Sequence, residues 1–247
     1  MIYQSFAKLY DELFDETEYQ KWFDYTASQI DLSKRHNWLE LACGSGRIAV
    51  KLAKSNQVVT GFDLSDEMLA LASQHAQENN VDLSLVQGNM LDLSGLDKFE
   101  IISCYADSFC YLSDEKEVLK AFKEVFNHLD ANGKFIFDVI TPYQTGVVYP
   151  GYMFNYQDDD ETFVWSSFGG DDQYHVEHDL TFFNRTPDDK YVKTTETHFE
   201  RTYDLKTYVD MLKTAGFSNI NYSANYGLNP ISKNTTRWFF SCQKESQ

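Results

Sequence analysis

The stretch from Trp38 to Arg47, WLELACGSGR, constrains the fold of this chain more than any other. An apolar run leads into Gly44 and Gly46, and small and apolar residues follow at helical spacing from Ile48. Glycine at these positions allows a positive φ and lets a ligand lie directly against the backbone. The stretch therefore predicts a buried strand, a tight turn and the start of a helix. In an α/β sheet such a turn opens a crevice at the carboxyl end of the strand, where ligands bind.

From residue 37 to residue 140 the sequence alternates between strand-like and helix-like segments. The candidate strands are 37–42, 57–62, 83–87, 99–105 and 133–139, and the candidate helices are 46–55, 66–79 and 114–129. This alternation predicts an α/β fold with a parallel, doubly wound, Rossmann-like sheet.

After Thr141 the pattern changes to a two-residue alternation rich in glycine, aspartate and aromatic residues. Four segments read as antiparallel strands joined by turns: 152–157, 161–168, 173–184 and 191–203. They predict an inserted antiparallel β-sheet over 141–203. A helix over 205–214 follows, and then two segments, 219–223 and 236–243, which we expect to close the main sheet as an antiparallel pair.

The first 30 residues are aromatic and acidic, and their apolar spacing predicts two helices, the second over 17–30. Two compatible interpretations exist for this segment. The helices pack on the domain, or they form a lid whose tyrosines close over a bound ligand.

The chain carries a net charge of −17 and has no basic cluster, which disfavours nucleic acid as a partner. A neutral or cationic small molecule is a better match for such a surface. The cysteines at 43, 104, 110 and 242 form no C-x-x-C pair, which favours reduced thiols. The N-terminus lacks signal-peptide features, and no apolar run approaches the roughly 20 residues of a membrane span. We therefore expect a cytoplasmic protein without membrane contact.

The glycine turn by itself matches a loose dinucleotide-binding pattern, so the neighbouring residues must discriminate between cofactors. Asp63 ends the apolar strand after Val58, as expected of a carboxylate that accepts ribose hydroxyls in either a nicotinamide or an adenosyl cofactor. Glu40 lies beside the turn, where an anion is unfavourable for a pyrophosphate but favourable for a ligand with an ammonium and a sulfonium. The third candidate strand ends in 87–90, QGNM, which offers polar and apolar groups for an adenine edge and face.

These features resemble the motifs of class I S-adenosylmethionine-dependent methyltransferases of the small-molecule type. The stretch 40–46 resembles the first motif, 61–69 the second and 88–90 the third, although many members carry Asp where this chain has Asn89. An amide still forms a hydrogen bond with the adenine amino group. Three more stretches are similar to the segment after the fourth strand, the fifth strand and the N-terminal closing segment: 105–112, 129–138 and 3–11.

The resemblance implies a seven-stranded sheet of order 3-2-1-4-5-7-6 with strand 7 antiparallel, and S-adenosyl-L-methionine as the cofactor. It implies a main domain of 1–140 plus 204–247, with 1–30 as a helical lid and 141–203 as a substrate cover. The implied cofactor contacts are Tyr3, Tyr10, Glu40, Ala42, Gly44, Gly46, Asp63, Leu64, Met68, Gly88, Asn89, Met90 and Tyr105.

The implied reaction is an in-line transfer of a methyl group to nitrogen or oxygen of a small molecule, for which a general base is not always needed. The candidate catalytic residues are Asp107, Tyr111 and His198, and each has a structural alternative: a turn cap, plain packing and an ordinary sheet-surface position. His175 and His178 are three apart on a predicted strand, so they point to opposite faces, and no metal site is predicted.

Two other functions remain open at this point. One is a nicotinamide-dependent oxidoreductase on a similar sheet, and the other is a non-catalytic cofactor-binding or assembly module. The inserted sheet also presents an exposed edge, which makes a homodimer through this sheet an alternative to a substrate cover.

Overall fold

The computed structural model of the chain describes Asp11 and residues 16–246. The α-helices are α1 (Glu16–Gln29), α2 (Arg47–Lys54), α3 (Asp66–Glu78), α4 (Glu115–His128) and α5 (Leu205–Ala215). The strands of the main sheet are β1 (Asn37–Leu41), β2 (Val58–Asp63), β3 (Ser84–Gln87), β4 (Phe99–Cys104), β5 (Leu129–Ile140), β10 (Ser218–Ala224) and β11 (Arg237–Gln243). Those of the second sheet are β6 (Met153–Gln157), β7 (Glu161–Gly169), β8 (His175–Arg185) and β9 (Tyr191–Arg201).

The main sheet has seven strands in the order β10-β11-β5-β4-β1-β2-β3. β1, β2, β3, β4 and β5 pair in parallel, and β11 is antiparallel to both β5 and β10. This arrangement confirms the predicted strand order, with the late antiparallel pair closing one side of the sheet.

Both faces of the main sheet are covered by helices, which explains why its strands are apolar on both sides. Trp38 and Leu39 are consecutive in β1 and fully buried, yet they belong to separate core clusters. The Trp38 cluster includes α1 and α2, and the Leu39 cluster includes α4 and α5. The carboxyl ends of the parallel strands are therefore fixed from both sides.

Strand β5 begins at Leu129, earlier than the predicted residue 133. Leu129 pairs with Phe99, and a register shift follows before the regular pairing of Ile101 with Lys134. Asn132 within this irregular stretch has a φ of 63°. The local sequence resembles a helix end followed by a turn, but pairing with β4 keeps it in the sheet.

The second sheet is antiparallel in the order β6-β7-β8-β9, which confirms the predicted insertion. It is joined to the main sheet where β9 ends. The Thr202 hydroxyl donates to the carbonyl of Ile140 over 2.6 Å, and Arg201 donates to the carbonyl of Ser113 over 3.1 Å. The insertion is thereby anchored at the carboxyl edge of the parallel strands. No helix in the described part of the chain is long and apolar enough to cross a membrane.

Candidate active site

A cavity of about 410 Å³ opens at the carboxyl ends of the parallel strands. This volume falls within the range of about 300–1,000 Å³ that is typical of small-molecule sites. Of the predicted cofactor residues, those that line it are Glu40, Ala42, Gly44, Asp63, Leu64, Met68, Gly88, Asn89, Met90 and Tyr105. Tyr3 and Tyr10 lie outside the described residues.

The turn between β1 and α2 forms the floor of the cavity. Gly44 and Gly46 have φ values of 52° and 72°, in the left-handed region that glycine adopts without strain. A side chain on Gly44 meets only the sulfur of Met68, at 4.0 Å, whereas a Cβ on Gly46 lies 2.7 Å from the Cβ of Ala72. Gly46 does not line the cavity. The structure therefore gives Gly46 a packing role against α3, and its predicted contact with the cofactor stays a prediction.

Asp63 at the end of β2 is fixed by the backbone on both sides. Its Oδ2 accepts the N–H of Gly44 over 2.8 Å, and its Oδ1 accepts the N–H of Ser65 over 2.9 Å. Burial raises the pKa of Asp63, and these backbone hydrogen bonds oppose the rise. Each carboxylate oxygen keeps a further lone pair, so this side chain can accept hydroxyl groups of a ligand.

Glu40 in β1 is buried, and its Oε2 has no hydrogen-bond partner among the described residues. The pKa of Glu40 is raised to about 8, mainly because the side chain is buried. A hydrogen bond from the N–H of Ala49 opposes the rise, and the charge of Asp63 adds to it. A buried carboxylate oxygen without a partner is costly unless a donor reaches it. Glu40 is thus suited to a ligand group that carries positive charge and N–H donors.

The end of β3 forms another wall. A Cβ on Gly88 lies 2.4 Å from the Phe62 ring, so only glycine fits there without a shift. Oδ1 of Asn89 accepts the N–H of Leu91 over 2.9 Å, which orients the side-chain amide. The Ser65 hydroxyl accepts the N–H of Met68 over 3.2 Å and caps α3, and this cap holds Met68 at the cavity.

Aromatic residues of α1, Tyr19 and Trp22, line the cavity as well. Near them, Arg47 donates to both carboxylate oxygens of Asp11, each over 2.6 Å, and the Ser45 hydroxyl donates to Asp11 over 2.5 Å. Asp11 is thus bound to the glycine turn through Ser45 and Arg47.

Asp107 does not itself line the cavity, although its neighbours Ala106 and Ser108 do. It adopts a left-handed φ of 52°, and its N–H donates to Asp138 over 2.9 Å. Arg237 bridges the two carboxylates, at 2.9 Å from Asp107 and 3.1 Å from Asp138. Trp22 donates to Asp138 over 2.7 Å. Burial raises the pKa of Asp107, and the Arg237 charge opposes that rise. Asp107 therefore belongs to a buried ion cluster that holds this loop in place.

Tyr111 lines the cavity, and its ring lies 5.9 Å from the ring of His198, centroid to centroid. His198 is 2% exposed, and its Nε2 lies 3.0 Å from Glu196. The surface position that the sequence suggested for His198 is therefore wrong, because its face of β9 packs on the Tyr111 loop.

His178 is buried on the same face, whereas His175 is partly exposed and lies 2.6 Å from Asp172. Within the described residues no group of at least three metal-binding side chains converges.

Sequence reasoning missed Trp22, Asp138 and Arg237. Asp138 lies within the predicted strand 133–139, and Arg237 carries no local motif. The one available signal was that a charged residue within an apolar strand needs a partner. Nothing in the sequence indicates which partner that is.

The α/β fold and the cavity at its strand ends, with Glu40 and Asp63 in its lining, define a Rossmann-like ligand-binding protein. A family model described as "Methyltransferase domain" matches residues 39–133. The "Putative methyltransferase YqeM" of Bacillus subtilis (strain 168) is 36% identical over 245 residues, which cover 99% of this chain and 98% of that protein. A crystal structure of an S-adenosylmethionine-dependent methyltransferase from Clostridium acetobutylicum ATCC 824 superposes with a TM-score of 0.84 at 29% identity, covering 99% of both chains.

A more distant relative is the "dTDP-3-amino-3,6-dideoxy-alpha-D-glucopyranose N,N-dimethyltransferase" of Streptomyces fradiae. It is 32% identical over 130 residues, which cover 49% of this chain and 49% of that protein.

The chain belongs to the S-adenosylmethionine-dependent methyltransferases. It is accordingly an enzyme that uses S-adenosyl-L-methionine, as the sequence motifs predict. This family is the one that the sequence motifs resemble. The two other functions left open by the sequence, a nicotinamide-dependent oxidoreductase and a non-catalytic module, are not supported.

Proposed function

We propose that this enzyme transfers the methyl group of S-adenosylmethionine to a nitrogen or oxygen atom of a small molecule by in-line displacement. One observation carries the proposal: Glu40, whose Oε2 has no hydrogen-bond partner among the described residues, lines the same cavity as Asp63, whose carboxylate accepts the N–H of Gly44. Glu40 can thus accept from an ammonium and Asp63 from ribose hydroxyls. Between them lies Gly44, which has no side chain that would keep a ligand away from the backbone.

Each wall of the cavity matches one part of the cofactor. Glu40 would hold the amino group, the Gly44 backbone would lie against the methionine portion, and Asp63 would hold the ribose. The adenine would lie among residues from the ends of β2 and β3 and from α3: Leu64, Met68, Gly88, Asn89 and Met90. Ala42 and Tyr105 would complete the wall beside the sulfur.

The cofactor supplies a methyl group already activated by a sulfonium, so the chain has to position the acceptor and exclude water. The apolar rings of Tyr19, Trp22 and Tyr111 line the cavity and are suited to excluding water. Asp107 is engaged with Arg237, so we assign it to positioning the Tyr105–Tyr111 loop and assign no general base.

A small acceptor is supported by the Streptomyces fradiae relative, whose name states an amino-sugar substrate. It is also supported by the inserted sheet, whose end is tied to the carboxyl edge of the main sheet and which we propose as the substrate cover over residues 141–203. The net charge of −17 favours a neutral or cationic acceptor over a polyanion. We propose a cytoplasmic location, because the spacing of the four cysteines favours reduced thiols.

Isothermal titration with S-adenosylmethionine and with NAD tests the cofactor site. We expect the parent and Asp82→Ala, an exposed control, to bind S-adenosylmethionine alone, and Asp63→Ala to lose about tenfold or more in affinity because a charged hydrogen-bond acceptor is removed. Equal binding by Asp63→Ala and Asp82→Ala places the cofactor elsewhere.

Incubation of metabolite extracts with methyl-labelled cofactor then identifies the acceptor, and label found only in protein or RNA contradicts a small-molecule substrate.

The homodimer hypothesis concerns β6, the edge strand of the inserted sheet, whose residues are exposed throughout. An open edge can pair with a second copy. Sedimentation velocity separates the two uses of the sheet: a dimer that Asn155→Pro dissociates supports pairing through β6, and a monomer retires this hypothesis.

A further inference from the structure

A second polar cluster lies beneath the inserted sheet, next to the cavity. His178 and Glu200 are 2% and 6% exposed. His178 pairs directly with His198, and Glu200 follows two residues later, so all three side chains are on one face of the sheet. The His198 ring contacts Tyr111 of the cavity wall. This face therefore packs behind Tyr111, which lines the cavity.

Two atoms of this cluster have no hydrogen-bond partner among the described residues: Oε2 of Glu200 and Nε2 of His178. The nearest approach between the two side chains, from Nε2 to Oε1, is 3.6 Å, which is too long for a hydrogen bond. The cost of such buried groups indicates that a ligand completes them.

Two neighbours define the hydrogen-bonding role of His178. The indole N–H of Trp165 donates to Nδ1 over 3.1 Å, and the Ser167 hydroxyl lies 2.7 Å from the same nitrogen. Because an indole nitrogen can only donate, Nδ1 carries a lone pair and the neutral ring carries its proton on Nε2. A donor on His178 and an acceptor on Glu200 thus lie side by side, and they match a ligand with one donating and one accepting group on neighbouring atoms.

The charge balance of the region favours a cation. The buried carboxylates are those of Asp107, Asp138 and Glu200, and Arg237 is bound to the first two. Glu200 is close enough to Asp107 for its charge to raise the pKa of that group. A buried excess of negative charge is stabilised by a positively charged partner.

We infer that His178 and Glu200 form the acceptor subsite and that the acceptor is an amine with an oxygen atom on the adjacent carbon, a vicinal amino alcohol. The substrate binds as an ammonium that donates to Oε2 of Glu200, and the neighbouring oxygen accepts from Nε2 of His178. The ammonium gives one proton to Glu200, and the freed nitrogen lone pair then forms the bond to the methyl carbon as the carbon–sulfur bond breaks and S-adenosylhomocysteine leaves. This assignment rests on the proposed function and specifies its substrate class.

Binding to the protein saturated with S-adenosylhomocysteine tests the subsite without relying on turnover. The probes are trans-2-aminocyclohexanol, cyclohexylamine and cyclohexanol, measured by isothermal titration. We expect the amino alcohol to bind about tenfold more tightly than cyclohexanol, which lacks the charged hydrogen bond to Glu200. We expect it to bind about fivefold more tightly than cyclohexylamine, which lacks only the neutral bond from His178. We expect Glu200→Gln to weaken it about tenfold, and His178→Phe to abolish the preference for the amino alcohol over cyclohexylamine.

The matched control is Glu177→Gln, on the opposite face of β8, which we expect to bind like the parent. Equal affinity for all three probes, no measurable binding of any, or an unchanged Glu200→Gln overturns the inference and leaves the pair a structural contact. Thermal melting checks that each variant folds, and if Glu200→Gln does not, the probe preference of the parent and of His178→Phe still decides. A parent that does not bind S-adenosylmethionine contradicts the proposed function, whereas one that binds it but not the amino alcohol contradicts only this inference.

Discussion

The N–H of Gly44 donates to the carboxylate of Asp63 over 2.8 Å, which joins the turn after β1 to the end of β2. Gly44 and Asp63 hold each other in position, because a change in the turn moves the carboxylate and loss of the carboxylate frees the turn. Gly46 has a different neighbour, Ala72, so substitutions at the two glycines can be told apart by experiment.

Gly44→Ala and Gly46→Ala should fail in different ways. Both place a side chain at a positive φ, which costs about 1–2 kcal/mol. Only Gly46→Ala also forces a Cβ to 2.7 Å from the Cβ of Ala72. The free energy of unfolding of this variant in urea should therefore fall by a further ~1–3 kcal/mol. Gly44→Ala places its methyl group in the cavity and should weaken S-adenosylmethionine binding instead. Equal stability of the two variants contradicts the packing role of Gly46.

The stability of the ligand-free protein should depend on Glu40 in a defined pH window. Its pKa is raised from 4.5 to about 8, so the folded protein holds a proton there that the unfolded chain has released. The corresponding stability is present below pH 4.5 and is lost as the pH rises towards 8, by up to about 1.4 kcal/mol per pH unit. Urea unfolding from pH 5 to 8 should show this fall in the parent and a flatter profile in Glu40→Gln. Identical profiles exclude Glu40 as the titrating group.

Arg237→Met should be strongly destabilising, because it leaves the buried carboxylates of Asp107 and Asp138 without their cation. We expect a loss of about 3–5 kcal/mol in the free energy of unfolding. The exposed control Arg35→Met should be near neutral. Adding Asp138→Asn to Arg237→Met should recover part of the loss, and purely additive effects of the two changes contradict the ion cluster.

Asp11→Asn should weaken the link between residue 11 and the glycine turn, because it weakens the paired hydrogen bonds from Arg47. We expect about tenfold weaker binding of S-adenosylmethionine, the scale of one charged hydrogen bond, and a lower melting temperature, because a buried ion pair loses its charge. The exposed Asp24→Asn serves as the control. A lower melting temperature with unchanged affinity means that this contact stabilises the fold and does not support the site.

The sequence by itself determined the sheet, the glycine turn and the carboxylates at the ends of β1 and β2. These features are encoded within a dozen residues, since hydrophobic period and turn chemistry are local. Only the tertiary structure decided that Gly46 packs against Ala72, that His198 is buried, and that Arg237 binds Asp107 and Asp138. Burial and charge compensation depend on which distant segments come into contact. The residues next to 198 and 237 in the sequence do not indicate which distant segments these two side chains contact.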